Sequence, residues 1–481
     1  MTSSAAHQET PAGLLPETAR ALLHRLATGQ VDGRAPSMVA AVVRAHGPVW
    51  TAGRGEVDGA LPQASTGYRI GSISKTFTAV QVLRLAEERL LKLTDPIERH
   101  LPGCGVEASV AQLLAHNAGL PAEPRGPWWE RTPGTLRPEL SDVLGADADR
   151  WPAGHWHRYS NPGYALLGKL IERLRGRPWG QALRADVLDP LGMAESGVGP
   201  GGRPAAGWAV HPWADVLLPE PTEEYGHLAP AGQLWSTVAD LSRFAVFLLD
   251  GDPQVLTTGS LAVMRTAASP PESADPDYGY GLGMQLLRHE GLTLSGHTGS
   301  VPGFLAALWT CPDQDVAAVV LANVTAGPQI GDIAADLVKI VADREPAIPP
   351  QWRPAAGIDL TLLDVTGPWY WGARPVAIRL LGDGTLQLTP IGKAGRGTRF
   401  RATAAADIWT GFDGFYAGET LRVIRDPAGA VDHLDLGTLV LTRGPYDPAS
   451  AVPGGVDPAG WRAGSGQPAT DADQSVSGSA G

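Results

Sequence analysis

YRIGSISKTFTA, residues 68–79, is the stretch from which the rest of the chain can be read. A short strand end runs into Gly71, and from Ser74 to Leu91 the spacing predicts a helix with Ala79, Val82, Leu83, Ala86 and Leu90 on one apolar face. Ser72 and Lys75 stand three positions apart. If the helix begins at Ser72 they share a face, and the lysine amine reaches the serine hydroxyl. A serine hydroxyl is a poor nucleophile until a base removes its proton. A lysine in dry surroundings has a depressed pKa and can be that base, while a helix N-terminus favours negative charge on the serine oxygen. The plain alternative is a helix-capping Ser72 and a solvated Lys75. Lysine is scarce in this chain and arginine carries most of its positive charge, which gives a lysine at this spacing more weight.

Two further segments offer partners. In HRYSNPGYALLG, residues 157–168, Tyr159 and Asn161 lie on a loop before a helix predicted over Pro162–Arg175. A tyrosine beside a cationic lysine is expected to lose its proton more easily and to shuttle it between Ser72 and a leaving group. Asn161 supplies a donor and an acceptor for a substrate amide. In LTLSGHTGSVPGF, residues 292–304, His297, Thr298 and Gly299 end a predicted strand. Gly299 permits close backbone approach, and the N–H of Ser300 would face an oxyanion. Taken singly, these are a capping Asn with a packed Tyr, and a polar turn.

Outward from the motifs, Leu14–Thr28 reads as a helix, and the apolar runs Met38–Val43 and Val49–Gly53 read as an antiparallel hairpin. Helices are expected at Val110–His116 and Val238–Asp250 within an all-helical middle. Strands are expected at Leu292–Ser295, Phe304–Thr310 and Asp315–Asn323, and a closing helix at Ile330–Asp343. The sum is an α/β sandwich on a mainly antiparallel sheet, residues 13–344. EPAIPPQWRPAA, residues 345–356, is a stiff proline-rich linker. Residues 357–447 alternate in short runs such as PVAIRLL and TLVLTR between Gly, Asp and Pro turns, the pattern of a small all-β barrel or sandwich. Residues 1–12 and 448–481 are expected to be disordered.

Composition narrows the function. At 481 residues two domains are the default, and 43% hydrophobic with 18% charged residues is globular. A net charge of -12 lacks the basic footprint that nucleic acid or an anionic membrane surface selects. Cys104 and Cys311 form no CxxC or metal spacing and read as free thiols of a reducing compartment. His155 and His157 flank Trp156 without a third ligand, so neither metal nor cofactor is expected. The start, MTSSAAHQETPAGLLPETARALLHRL, has no basic segment followed by an apolar run, and no 18-residue apolar stretch occurs, which together predict a cytoplasmic protein.

The three motifs in this order resemble those of the penicillin-recognising serine hydrolases, which include class C β-lactamases, D-Ala-D-Ala carboxypeptidases, esterases and D-aminopeptidases. LLAHNAGLP at 113–121, PAGQLWSTVADLSRF at 230–244 and YGYGLGM at 278–284 extend the resemblance over about residues 15–343. It implies that Ser72 is acylated, that Lys75 and Tyr159 are the acid/base pair, and that Asn161 holds the acyl-side amide. It also implies that His297, Thr298 and Gly299 dock the substrate, and that the N–H groups of Ser72 and Ser300 form the oxyanion hole. GPWYWGARP, FYAGETLRV and HLDLGTLVLTRGPYDP resemble a lipocalin-like domain appended to some actinobacterial members, among them the penicillin-binding-protein-type thioesterases that release and cyclise non-ribosomal peptides. That resemblance implies a peptidyl thioester ending in a D-residue as donor, with a peptidyl-carrier protein as partner. A plain esterase or D-peptidase, and a non-enzymatic binding protein, remain as alternatives. Trp128 and Trp129 either line an apolar peptide site or simply pack. Arg443, in LTRGP, stands either at the surface or towards the site, where it would recognise substrate.

Overall fold

A computed structural model describes residues 13–145, 151–270, 276–349, 351, 352, 354, 357, 359–392, 395–437 and 439–446. The expected disordered start and tail lie outside the described residues. The chain divides into two compact units, Met1–Ile348 and Pro349–Gly481, within the segment expected to be the linker.

The first unit is built on a seven-stranded sheet. Its strands are β1 (Ser37–Arg44), β2 (Gly47–Gly55), β3 (Tyr278–Tyr280), β4 (Gln285–His289), β5 (Leu292–Val301), β6 (Phe304–Cys311) and β7 (Val316–Ala322). Their order is β2-β1-β7-β6-β5-β4-β3, and each neighbouring pair is antiparallel. The run at β1 is apolar throughout because both faces of the sheet are covered. Met38, Ala40 and Val42 pack with Leu22 and Leu26 of α1 (Pro16–Asp32) and Val338 of α7 (Ile330–Arg344). Val39, Ala41 and Val43 face the other core, with Leu241 and Ala245 of α6 (Val238–Asp250). That second core also takes in α2 (Ser74–Glu87), α3 (Val110–Leu114), α4 (Asn161–Arg175) and the single turn α5 (Ala229–Gly232).

Two expectations need correction. Helix α2 stops at Glu87, because Arg89 takes a left-handed φ of 61°; Leu90 is 46% exposed and completes no apolar face. The middle of the chain is not all-helical: Thr66–Arg69 pairs with Arg203–Pro204 and Trp235–Thr237, and Trp208–Val210 pairs with Leu217–Pro219. These strands are two to four residues long, too brief for alternation to register.

The second unit is a closed antiparallel barrel of eight strands: β8 (Gly367–Trp371), β9 (Arg374–Leu380), β10 (Leu386–Pro390), β11 (Thr398–Ala402), β12 (Ile408–Gly411), β13 (Thr420–Arg425), β14 (Val431–Asp435) and β15 (Val440–Thr442). The Tyr370–Thr442 pairing of β8 with β15 closes it. This bears out the lipocalin-like architecture. The interior is packed solid by side chains including Trp369, Ile378, Phe400, Trp409, Leu421 and Leu434. The hollow between Trp371 and Leu436 holds about 30 Å³, room for little more than a water molecule.

Candidate active site

Ser72 sits in a single 3₁₀ turn, Gly71–Ile73, that leads into α2, so the α-helix begins two residues later than the motif alone suggests. Positions i and i+3 eclipse in such a turn, which favours the Ser72–Lys75 contact. Gly71 has a φ of 50°, and a Cβ on it would stand 2.6 Å from the backbone nitrogen of Ser300. A Cβ on Gly299 would stand 2.0 Å from the Ile70 carbonyl oxygen and 3.1 Å from the Ser72 nitrogen. Glycine at both positions lets the turn lie against β5, bringing the Ser72 and Ser300 nitrogens to one edge of the cleft.

Lys75 is fully buried. Its Nζ lies 3.1 Å from Ser72 Oγ, 2.7 Å from Asn161 Oδ1 and 2.7 Å from the Ala231 carbonyl oxygen on α5. Burial pulls the amine down to a pKa of about 7, against the opposing fields of Glu123 and Glu130. Near neutral pH a large fraction is therefore unprotonated and able to accept a proton. Asn161 opens α4, whose N-cap is Ser160 accepting from the Gly163 N–H at 3.1 Å. Asn161 Nδ2 donates to both Glu123 carboxylate oxygens, at 2.9 and 2.8 Å, and Trp129 Nε1 donates to Glu123 Oε2 at 2.7 Å. A continuous polar chain thus runs from Ser72 through Lys75 and Asn161 to Glu123.

Tyr159 overturns an expectation. Its hydroxyl is hydrogen-bonded to Ser72, and Lys75 Nζ lies 4.7 Å from its ring centroid. Its pKa nevertheless rises well above 10, because burial outweighs the bond to Ser72. The fields of Tyr164, Tyr278 and Glu123 push in the same direction as burial. Tyr159 therefore rests protonated, a hydrogen-bond donor. His297 is buried and held down to about 3 by desolvation and by Lys75. The neutral ring places Nδ1 2.5 Å from the Thr298 carbonyl oxygen and Nε2 3.0 Å from the Tyr280 hydroxyl. With Nδ1–H donating, Nε2 accepts from Tyr280. His297 ties β5 to β3 and is neutral near pH 7. The Thr298 N–H and Oγ1 both donate to Gln285 Oε1, at 2.8 and 3.1 Å.

Ser72, Tyr159, His297, Thr298, Gly299 and Ser300 line one cleft of about 430 Å³, bounded opposite by Pro328–Asp332 at the start of α7. A larger hollow, about 770 Å³, lies against Gly168 and Pro230 on α4 and α5, but it includes none of these residues. These motif residues, predicted from the sequence, line the smaller one. Arg443 belongs to the second unit, where it stacks on Trp369 with its guanidinium carbon 3.8 Å from the ring centroid and donates to the carbonyls of Thr366, Pro368 and Asp364. Of the paired tryptophans, Trp129 is buried and bonded to Glu123, whereas Trp128 is 58% exposed and its ring lies against Arg131. The sequence reading missed Glu123, Tyr280 and Gln285. Tyr280 stands in a segment quoted for its resemblance, and Glu123 two residues after another, but an isolated carboxylate or phenol carries no spacing signal. No helix among the described residues is long and apolar enough to cross a membrane.

The family model for Beta-lactamase matches residues 20–343, and a domain of unknown function, DUF7586, matches residues 358–443. Penicillin-binding protein 4 of Amycolatopsis lactamdurans is 29% identical over 278 residues, 53% of this chain and 72% of that one. Other curated relatives are spanned over 47 to 60% of their length. Among solved structures, a D-stereospecific amidohydrolase from Streptomyces sp. is 26% identical with a TM-score of 0.56, over 68% of this chain and 98% of that one. SurE with D-Leu is 25% identical with a TM-score of 0.55, over 89% of this chain and 100% of that one, a match that extends into the second unit.

Proposed function

The chain belongs to the Beta-lactamase family of serine hydrolases, and from that premise we propose that it transfers acyl groups through an ester on Ser72. The observation that carries this is the contact of a fully buried Lys75 amine, its pKa pulled down to about 7, with both Ser72 Oγ and Asn161. Lys75 takes the Ser72 proton as Oγ attacks the acyl carbon. The negative charge that develops on the acyl oxygen meets the N–H groups of Ser72 and Ser300. Tyr159 gives its proton to the departing group and recovers one from Lys75, which restores both residues. Deacylation runs the same path in reverse, the proton coming from water or an amine. The edge of β5 at Thr298 docks the substrate backbone, and Asn161 turns an Nδ2–H from Glu123 towards the acyl-side amide.

The proposed donor is a peptidyl thioester ending in a D-residue. The names of two relatives at 25 to 26% identity support the D-configuration, one a D-stereospecific amidohydrolase and the other a complex with D-Leu. The proposed acceptor is the peptide's own amine, giving a macrocycle, with a peptidyl-carrier protein as the source of the donor. An amine held beside the ester reaches an effective concentration of about 10⁵ M or more in well-oriented cases, enough to outrun water in a dry cleft. The amidohydrolase likeness favours a second reading, simple hydrolysis of D-residue amides or esters. Two synthetic peptidyl thioesters that differ only in the configuration of the last residue separate the readings. A cyclic product from the D-form alone supports macrocyclisation, and hydrolysis of both at similar rates removes it.

A further inference from the structure

His116 is an unusual residue to find where it stands. It follows α3 with a left-handed φ of 57°, at the position where a helix normally ends on Gly or Asn. It is 1% exposed, and its ring lies 4.2 Å from that of Tyr159 and 4.7 Å from that of Tyr280, centroid to centroid. Its carbonyl oxygen accepts from the Arg158 N–H at 2.6 Å, and its Nδ1 accepts from the Ser160 N–H at 3.0 Å. The residues before and after Tyr159 are thus both fastened to one histidine whose ring also packs on the tyrosine.

We propose that His116 is the positioning residue for Tyr159, holding its hydroxyl over Ser72 through Nδ1, the backbone carbonyl and the ring face. The inference rests on the reading of Tyr159 as proton donor. An acceptor at Nδ1 requires the ring to be neutral with its proton on Nε2. Burial, with Lys75, His157 and His297 nearby, pushes its pKa well below 6.5, which keeps the acceptor in place. Nε2 is buried with no hydrogen-bond partner among the described residues, an unfavourable arrangement that the fold tolerates while Nδ1 is in use. The left-handed backbone is a second cost at the same residue.

Three substitutions separate the contributions. Asn keeps an oxygen close to the position of Nδ1 and tolerates a left-handed backbone; Gly relieves the backbone but has no acceptor; Ala does neither. Each is made alone and in a Tyr159→Phe background, with acylation by a D-residue thioester followed in single turnover and melting temperature recorded. His116→Asn is expected to keep kcat/KM within about fivefold, whereas His116→Gly loses on the order of 10- to 100-fold in kcat at similar KM, the scale of a misplaced catalytic group. In the Tyr159→Phe background the Gly change is expected to cost less than about threefold, because its effect passes through the missing hydroxyl. The proposal is overturned if Gly performs as well as Asn, or if Gly costs the same factor in both backgrounds. Tyr159→Phe retaining full activity would instead sink the reading of Tyr159 itself.

Discussion

Replacing Glu123 by Gln tests whether Lys75 is the base, because it changes the lysine's field while keeping an oxygen acceptor for Asn161. The Glu123 carboxylate holds the Lys75 pKa up, so removing its charge must lower that pKa. The path from Nζ to Asn161 Oδ1 is 2.7 Å and that from Nδ2 to the nearer carboxylate oxygen is 2.8 Å, one amide apart. Those contacts put the charges about 7 Å from each other, a Coulomb energy between about 0.6 kcal/mol at the dielectric of water and about 2.4 kcal/mol at an effective value of 20. Glu123 is solvent-exposed, which favours the lower part of that range, a shift of roughly half to one pK unit. The sign is fixed: protonated Lys75 cannot accept the serine proton, so activity rises with pH as the amine deprotonates. The wild type should show one ascending limb of kcat/KM near pH 7, with no descending limb from Tyr159, whose pKa lies well above 10. In Glu123→Gln that limb moves to lower pH. The assay is the pH profile of hydrolysis of an activated D-residue ester, at low and high salt. A limb that stays put or moves up would refute the assignment of Lys75 as the titrating base.

Lys75→Ala and Tyr159→Phe should each slow acylation on the order of 10²- to 10⁴-fold with melting temperature little changed in Tyr159→Phe, as stopped-flow and calorimetry would reveal. Gly71→Ala places a Cβ 2.6 Å from the Ser300 nitrogen on a left-handed backbone. It should cost about 1–3 kcal/mol of stability and nearly all activity, measured by urea titration and turnover. Residues 1–348, which carry their own two cores, should fold alone and keep turnover of a small activated ester while losing that of a long peptidyl thioester. Equal retention of both would remove any role of the barrel in substrate choice.

The legible part of this chain lies in its long periodic elements and its spaced motifs. The Val-rich β1 and the strands β6 and β7 announce themselves because each is a largely apolar run of seven or eight residues, whereas β5 shows only its first residues, since Ser, Gly, His and Thr fill the rest. Ser72 and Lys75 are readable because three residues of helical turn fix their separation. The short strands around residues 203–219 are not, since two or three residues cannot show a period. Helix α2 ended early through the backbone of Arg89, which no composition rule anticipates. The state of Tyr159 is illegible for a different reason: motif order pairs it with Lys75, 84 positions away, but does not report the burial that keeps its proton on. Glu123 and His116 act through tertiary contacts with residues 38 and 44 positions away, which local pattern does not report.

The most direct test is the covalent intermediate. Mix the protein with an activated D-residue peptidyl thioester, quench within the first turnover, and map the adduct by peptide mass spectrometry. The account predicts one acyl group, on the peptide containing Ser72, which is absent in Ser72→Ala and accumulates more slowly in Lys75→Ala. Acylation at another residue, or a Ser72→Ala protein that turns over the thioester at the wild-type rate, would contradict it.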